Sequence, residues 1–190
     1  MELRDQNGLT EREFLEAYAK KNYPRPYLTA DVVLLSNGCD VLLVRRKGHP
    51  CIGRWAFPGG FVNPTESAFD AALRELKEET GVETASDLHE IGLFSRPGRD
   101  PRGWVVTDAY LAEIDRSRTR VQAGDDAADA AWFRVSLDGG KPVSLTAPDG
   151  TALALDALAF DHAEILARAF ELHRSLQHPR IPFWQFFTVS

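Results

Sequence analysis

The chain has 190 residues, of which 44% are hydrophobic, and a formal net charge of −6 at pH 7. That length suits one domain with a sizeable core plus terminal additions; no apolar run approaches the ~20 residues that span a bilayer, and the polar start MELRDQNGLTEREF does not read as a secretory signal. The acidic balance argues against nonspecific nucleic-acid binding, which relies on basic surface. Cys39 and Cys51 lack zinc-type spacing and build no disulfide framework, so a reduced, cytoplasmic protein is expected.

In chain order, Thr10-Glu11-Arg12-Glu13 is a capping-box signature that opens a short helix through about Tyr18, and Pro24 and Pro26 then bound a linker. Residues 29–35 and 41–45 read as strands joined around Ser36-Asn37-Gly38, a hairpin signal. Residues 54–57 form a short strand entering Gly59-Gly60. Residues 67–80 are mostly strong helix formers, with Thr65 as the N-cap and Gly81 as the stop. Strands follow at 88–94, 104–114 and 130–135, and Asp161-His162-Ala163-Glu164 starts a last helix through about Leu176. The pattern predicts an α/β sandwich, divided into an N-terminal helix and linker (1–26), a core domain (27–178) and an aromatic tail (179–190).

The helix over 67–80 carries the chemistry. Its apolar stripe is Phe69, Ala72, Leu73 and Leu76, and Glu75 and Glu79 fall on the border of that stripe at ~100° per residue. Glu75, Glu78 and Glu79 share one region of surface, where like charges cost a few tenths of a kcal/mol each, and more at the edge of a buried face. A divalent cation among them relieves that cost, and oxygen ligands suit Mg²⁺ or Mn²⁺. A plain i,i+4 pair from Arg74 to Glu78 on a solvated face is the ordinary alternative. Against it stands the full pattern: Gly60, five residues, Glu66, seven residues, then Arg74-Glu75-Leu76-Lys77-Glu78-Glu79-Thr80-Gly81-Val82.

This run, GFVNPTESAFDAALRELKEETGV, resembles the box of the Nudix hydrolase family at every defining position, and the preceding Arg54-Trp55-Ala56-Phe57-Pro58-Gly59-Gly60 resembles the strand and loop that enter it. The resemblance implies an α/β/α sandwich with a mixed β-sheet. It also implies metal ligation by Glu75 and Glu79, with Glu78 next, directly or through water, and by the backbone carbonyl of Gly59, where a missing Cβ permits close approach. Arg74 is then a structural residue orienting the glutamates, and Glu66 braces the loop. The reaction implied is substitution at phosphorus by an activated water. For the general base, the acidic loop 123–129 resembles one that swings over the metals in relatives: Asp126 comes first, Asp125 second, Glu75 as the in-helix alternative, and a solvated acidic turn is equally open.

Substrate choice rests on 95–104, SRPGRDPRGW. A proline about sixteen residues beyond the box glycine, here Pro97, resembles the mark of the ADP-ribose pyrophosphatase group, and Arg99 and Arg102 would offer guanidinium forks to a phosphate or ribose hydroxyl. An ordinary Pro/Gly turn is the bland alternative, as surface exposure is for Arg45 and Arg46. Trp55, Phe57, Trp132 and Phe133 are expected in the core, and His162 as a capping or packing residue. The functional expectation is a Mg²⁺-dependent pyrophosphatase cutting ADP-ribose to AMP and ribose 5-phosphate. The alternatives are an ADP-ribose-sensing domain resembling Nudix-related NAD repressors, for whose winged helix the chain leaves no room, and a hydrolase for another nucleoside diphosphate derivative. Left in water, the apolar tail Ile181-Pro182-Phe183-Trp184-Gln185-Phe186-Phe187 would expose an interaction-sized patch, so a homodimer is expected, with burial against the chain's own core as the alternative.

Overall fold

In the computed structural model, residues 2–83, 88–118, 121 and 127–177 are described. Helix α1 spans Glu11–Ala19, behind the expected capping box: Thr10 accepts from the Glu13 amide, and the Glu13 carboxylate accepts from the Thr10 amide. Strands β1 (Tyr27–Ser36) and β2 (Asp40–Arg46) form the expected hairpin. Asn37 and Gly38 take φ of 51° and 69° at its tip, a left-handed conformation that Asn and Gly tolerate best. The rest of the domain follows as β3 (Trp55–Ala56), β4 (Gly59–Phe61), α2 (Ala68–Thr80), β5 (His89–Phe94), β6 (Val105–Glu113), β7 (Ala127–Asp138), β8 (Lys141–Thr146), β9 (Ala152–Ala154) and α3 (His162–Gln177).

The sheet is mixed, ordered β5-β6-β1-β2-β7-β8-β9. β1 runs parallel to β6 along its length, from Tyr27↔Val105 to Leu35↔Glu113, whereas β1 and β2 pair only next to their turn, at Leu35↔Val41 and Ser36↔Asp40. Beyond that point the two strands diverge. The opening is filled by the chain from Trp55 to Phe61: β3 pairs with β2, β4 pairs with β1, and the Val32 amide donates to the Pro58 carbonyl at 2.9 Å. This split in the sheet sets Gly59 and Gly60 beside α2.

Alternation along β1 divides the core in two. Val33 and Leu35 face α3 and pack with Phe57, Leu111, Phe133, Ile165, Leu166 and Phe170, while Ala30, Val32 and Leu34 face α2 and pack with Ala71, Ala72, Leu76 and Tyr110. Each face of the sheet is thus covered by one helix, the α/β/α sandwich that the sequence predicts. Phe57 and Phe133 lie in the core, with Trp55 and Trp132 packed against it.

Local details depart from expectation for identifiable reasons. The N-cap of α2 is Ser67, not Thr65: Ser67 and Asp70 form a reciprocal capping box, while the preceding turn is held by Glu66 accepting from the Asn63 amide at 2.9 Å. The buried face of α2 is Ala71, Ala72, Leu76 and Thr80, and Phe69 stays half exposed with its edge against Tyr110, because the sheet surface meets the helix one position round from the expected stripe. Gly81 ends the helix in the left-handed conformation as expected. Strands β4, β8 and β9 carry little sequence signal: β4 and β9 have three residues each, and Pro142 interrupts the β8 pattern. The tail over 179–190 lies outside the described residues. No helix among the described residues is long and apolar enough to cross a membrane.

Candidate active site

Helix periodicity puts Glu75, Glu78 and Glu79 along one edge of α2, where Glu75 and Glu79 face the Gly59-Gly60 turn. Arg74 organises them. Its Nη1 donates to Glu75 at 2.7 Å and to Glu78 at 3.0 Å, its Nε and Nη2 donate to Glu66 at 3.1 and 2.7 Å, and Nη2 also reaches the Phe61 carbonyl at 3.1 Å. The expected structural roles of Arg74 and Glu66 match this geometry. Arg74, with help from the Asn63 amide, holds the Glu66 carboxyl down to about 2, so Glu66 is an ionised brace.

Glu79 is in the opposite condition. It is largely removed from water, and burial, with the charges of Glu75 and Asp31 adding to it, pushes its carboxyl up to about 7 despite a 3.0 Å hydrogen bond from the Gly59 amide. Burial also raises Glu75, and the Arg74 guanidinium opposes that shift. Backbone contact makes glycine obligatory at Gly59, and at Gly60 a side chain would displace a carboxylate. A Cβ on Gly59 would strike the Ala30 carbonyl, with the Asp31 Cα at 2.8 Å, and one on Gly60 would enter the Glu75 carboxylate. The oxygen-only donor set and the uncompensated burial of Glu79 fit a hard divalent cation. In the described residues no three His, Cys, Asp or Glu side chains already form a ligating group, since Glu75 and Glu78 are turned toward Arg74.

A cleft of about 540 Å³ opens over this edge, bounded on the far side by Arg45, Arg46, Lys47 and Gly48. A narrower recess continues from it past Asp31, Arg46, Phe61 and Arg102 to Phe160 and His162. Arg102 lies against the rings of Phe61 and Phe160, at 4.9 and 5.5 Å, and is gripped bidentately by Asp100. Arg46 lies over the same Phe160 ring at 5.0 Å, with its Nε donating to the Pro50 carbonyl. A carboxylate wall and a guanidinium-aromatic wall therefore share one opening.

The sequence-predicted residues divide accordingly. Gly59, Glu75 and Glu79 line the cleft, Arg102 lines the recess that continues from it, and Glu78 lines neither, being more exposed and tied in through Arg74. Arg99 is engaged within the protein: at the wall of the same recess its fork is buried against Asp161, at 2.8 and 2.6 Å, with both side chains only 4% exposed. The same pair diverts the Asp161 carboxylate from helix capping, and the amides of Glu164 and Ile165 bond instead to the Asp161 carbonyl. Pro97 occupies an exposed turn that leads into Arg99. Asp125 and Asp126 lie outside the described residues. Sequence reasoning missed Asp31, Phe61 and Phe160. Asp31 carried a usable signal, an acid in the middle of the strand Tyr27–Ser36, where it lies buried and accepts from Thr107 Oγ1. The two phenylalanines carried none, since their meeting depends on the split sheet.

Comparison with known proteins adds to this geometry. Residues 25–140 match the family described as the NUDIX domain. The ADPR responsive transcriptional repressor NtrR of Acinetobacter baylyi is 32% identical over 93% of the chain, which spans 66% of that repressor's length. The ADP-ribose pyrophosphatase of Methanocaldococcus jannaschii is 33% identical over 76% of the chain and 73% of its own length. The NUDIX domain of Shewanella oneidensis NrtR, solved in complex with ADP ribose, superposes with a TM-score of 0.67 at 30% identity, covering 86% of this chain and 99% of that one.

Proposed function

The chain belongs to the Nudix hydrolase family, and on that premise we propose that it hydrolyses ADP-ribose to AMP and ribose 5-phosphate with Mg²⁺ or Mn²⁺. The observation that carries this reading is the meeting of a crowded, partly buried carboxylate edge with Arg46 and Phe61 across one cleft of about 540 Å³, continued by the recess that Arg102 and Phe160 line. Acidic residues alone repel a diphosphate; with cations at the carboxylates and guanidiniums opposite, the cleft becomes complementary to one. Glu75, Glu79 and the Gly59 carbonyl would hold the metal, with Glu78 joining them directly or through water. A bound divalent cation supplies polarisation of the phosphoryl oxygens and a lower pKa for the attacking water.

The chain's own residues do the rest. Arg74 keeps the glutamates aligned, and the Gly59 amide fixes the Glu79 carboxylate through a charge-assisted hydrogen bond. Arg102, held in place by Asp100, would meet the phosphate or ribose of the distal half of the substrate, and Arg46, over the same Phe160 ring, would face the diphosphate. Arg99 acts through Asp161, and Pro97 stiffens the turn that presents Arg102. Asp126 is the proposed general base. Water oxygen bonds to one phosphorus as the anhydride P–O bond breaks, and the base takes the water's proton. The proposed assembly is a homodimer, checked by light scattering at micromolar protein, where a monomer with full activity would exclude it.

The relationship to an ADP-ribose-responsive repressor over nearly the whole chain favours one second reading, a domain that binds ADP-ribose without cutting it. Product analysis over ADP-ribose, NADH and nucleotide sugars, each with Mg²⁺ and Mn²⁺, separates the readings. Preferred release of AMP from ADP-ribose supports the enzyme. Tight binding with intact ligand supports the sensor, and faster cutting of another compound reassigns the substrate.

A further inference from the structure

His162 opens α3 and is buried on the side of the sheet opposite the box helix. Its ring stacks on Phe57 with centroids 4.9 Å apart and planes 8° from parallel, and its Nδ1 accepts the Phe57 amide at 3.0 Å. An acceptor Nδ1 leaves the ring proton on Nε2, which faces Asp31 Oδ1 at 3.8 Å, and burial lowers the imidazole's affinity for a second proton. Phe57 begins the turn that ends at Gly59-Gly60. That turn is held at three points by different elements: the Phe57 amide by His162, the Pro58 carbonyl by the Val32 amide of β1, and the Gly59 amide by Glu79 of α2. Asp31 joins two of them, since it faces His162 and lies where a Cβ on Gly59 would go.

We propose that His162 is a positioning residue for the reaction, fixing the Phe57–Gly60 turn from the α3 side through its Nδ1 lone pair, so that the Gly59 peptide keeps its place opposite Glu79. This inference rests on the catalytic reading of the Gly59–Glu79 edge, but the contact it assigns is measurable without turnover. The reach of α3 explains why a helix far in sequence from the box begins against it: without the imidazole, the Phe57 amide is a buried donor with no acceptor.

Three variants of the full chain test this. His162→Phe keeps a ring against Phe57 and removes both nitrogens; His162→Asn returns an acceptor near the Nδ1 position; His162→Gln offers one near Nε2 instead. Amide hydrogen exchange at Phe57 and Gly59 is measured on the metal-free protein, and kcat and KM for ADP-ribose with Mg²⁺. His162→Phe and His162→Gln should exchange roughly ten-fold or more faster at both amides and lose roughly ten-fold in kcat with little change in KM, as expected when a buried donor loses its acceptor. His162→Asn should recover most of both. Wild-type exchange at Phe57 in His162→Phe overturns the proposal, as does equal behaviour of the Asn and Gln variants. Should His162→Phe fail to fold, the difference between the Asn and Gln variants decides the question in the same way. A protein that exchanges as expected but cuts no ADP-ribose refutes the catalytic reading and leaves the contact standing.

Discussion

Replacing Glu79 by Gln should make the metal-free protein more stable and the enzyme inactive. In the fold, burial lifts the Glu79 carboxyl from 4.5 to about 7, so its ionised form is disfavoured by about 3 kcal/mol at ~1.36 kcal/mol per pKa unit. The sign follows from proton linkage. A carboxyl whose pKa is raised by folding binds its proton more tightly in the native state, so stability is greatest below the unfolded value near 4.5, falls as pH rises, and carries the full penalty above about 7. Glutamine keeps an oxygen for the Gly59 amide and has no charge to bury. At pH 8 without metal the variant should therefore melt about 5–10 °C higher, the rise expected from up to ~3 kcal/mol in a domain of this size, and at pH 4.5 the gain should nearly vanish. Millimolar Mg²⁺ should raise the wild-type melting temperature at pH 8 and barely move the variant, while kcat for ADP-ribose falls by orders of magnitude. Equal melting temperatures at both pH values, or a variant with wild-type turnover, would refute the assignment of Glu79 as a buried carboxylate awaiting a cation.

Other perturbations read other parts of the site. Arg102→Ala should raise KM for ADP-ribose roughly ten-fold or more, reflecting ~1.5–3 kcal/mol of charge-assisted hydrogen bonding, and an unchanged KM reduces this loop to a structural turn. Gly59→Ala drives a Cβ into the β1 backbone and should cost about 1–3 kcal/mol in urea denaturation along with most of kcat; full activity would mean that the turn yields without consequence. Arg99→Leu leaves Asp161 buried without its partner and should lower the urea midpoint by the equivalent of about 3–5 kcal/mol, whereas a phosphate-binding Arg99 would show its loss in KM with stability intact.

The parts of the site written in adjacent residues were legible in the amino-acid sequence. The carboxylates of α2, the glycines that approach them and the cap at Gly81 follow from helical spacing and from the steric freedom of glycine. Arg74 was legible too, because its partners lie within one or two turns or in the loop just before the helix. What escaped depends on topology. Phe61 of β4 and Phe160 before α3 meet around Arg102, which the sequence did single out, because β1 and β2 diverge and β6 runs parallel to β1, a relation without a local signature. Arg99 illustrates the same limit from the other side: an arginine in a Pro/Gly loop reads as exposed, and only the arrival of Asp161 from a distant segment buries it.

The catalytic reading of this protein turns on water attacking the diphosphate of ADP-ribose at the edge formed by Gly59, Glu75 and Glu79. Turnover in H₂¹⁸O with Mg²⁺, followed by mass spectrometry of the products, puts that step to the test. One ¹⁸O atom per turnover is expected, carried in the phosphate of either AMP or ribose 5-phosphate, with no products from Glu79→Gln. ADP-ribose recovered intact after saturating binding, or products formed at the wild-type rate by Glu79→Gln, would contradict it.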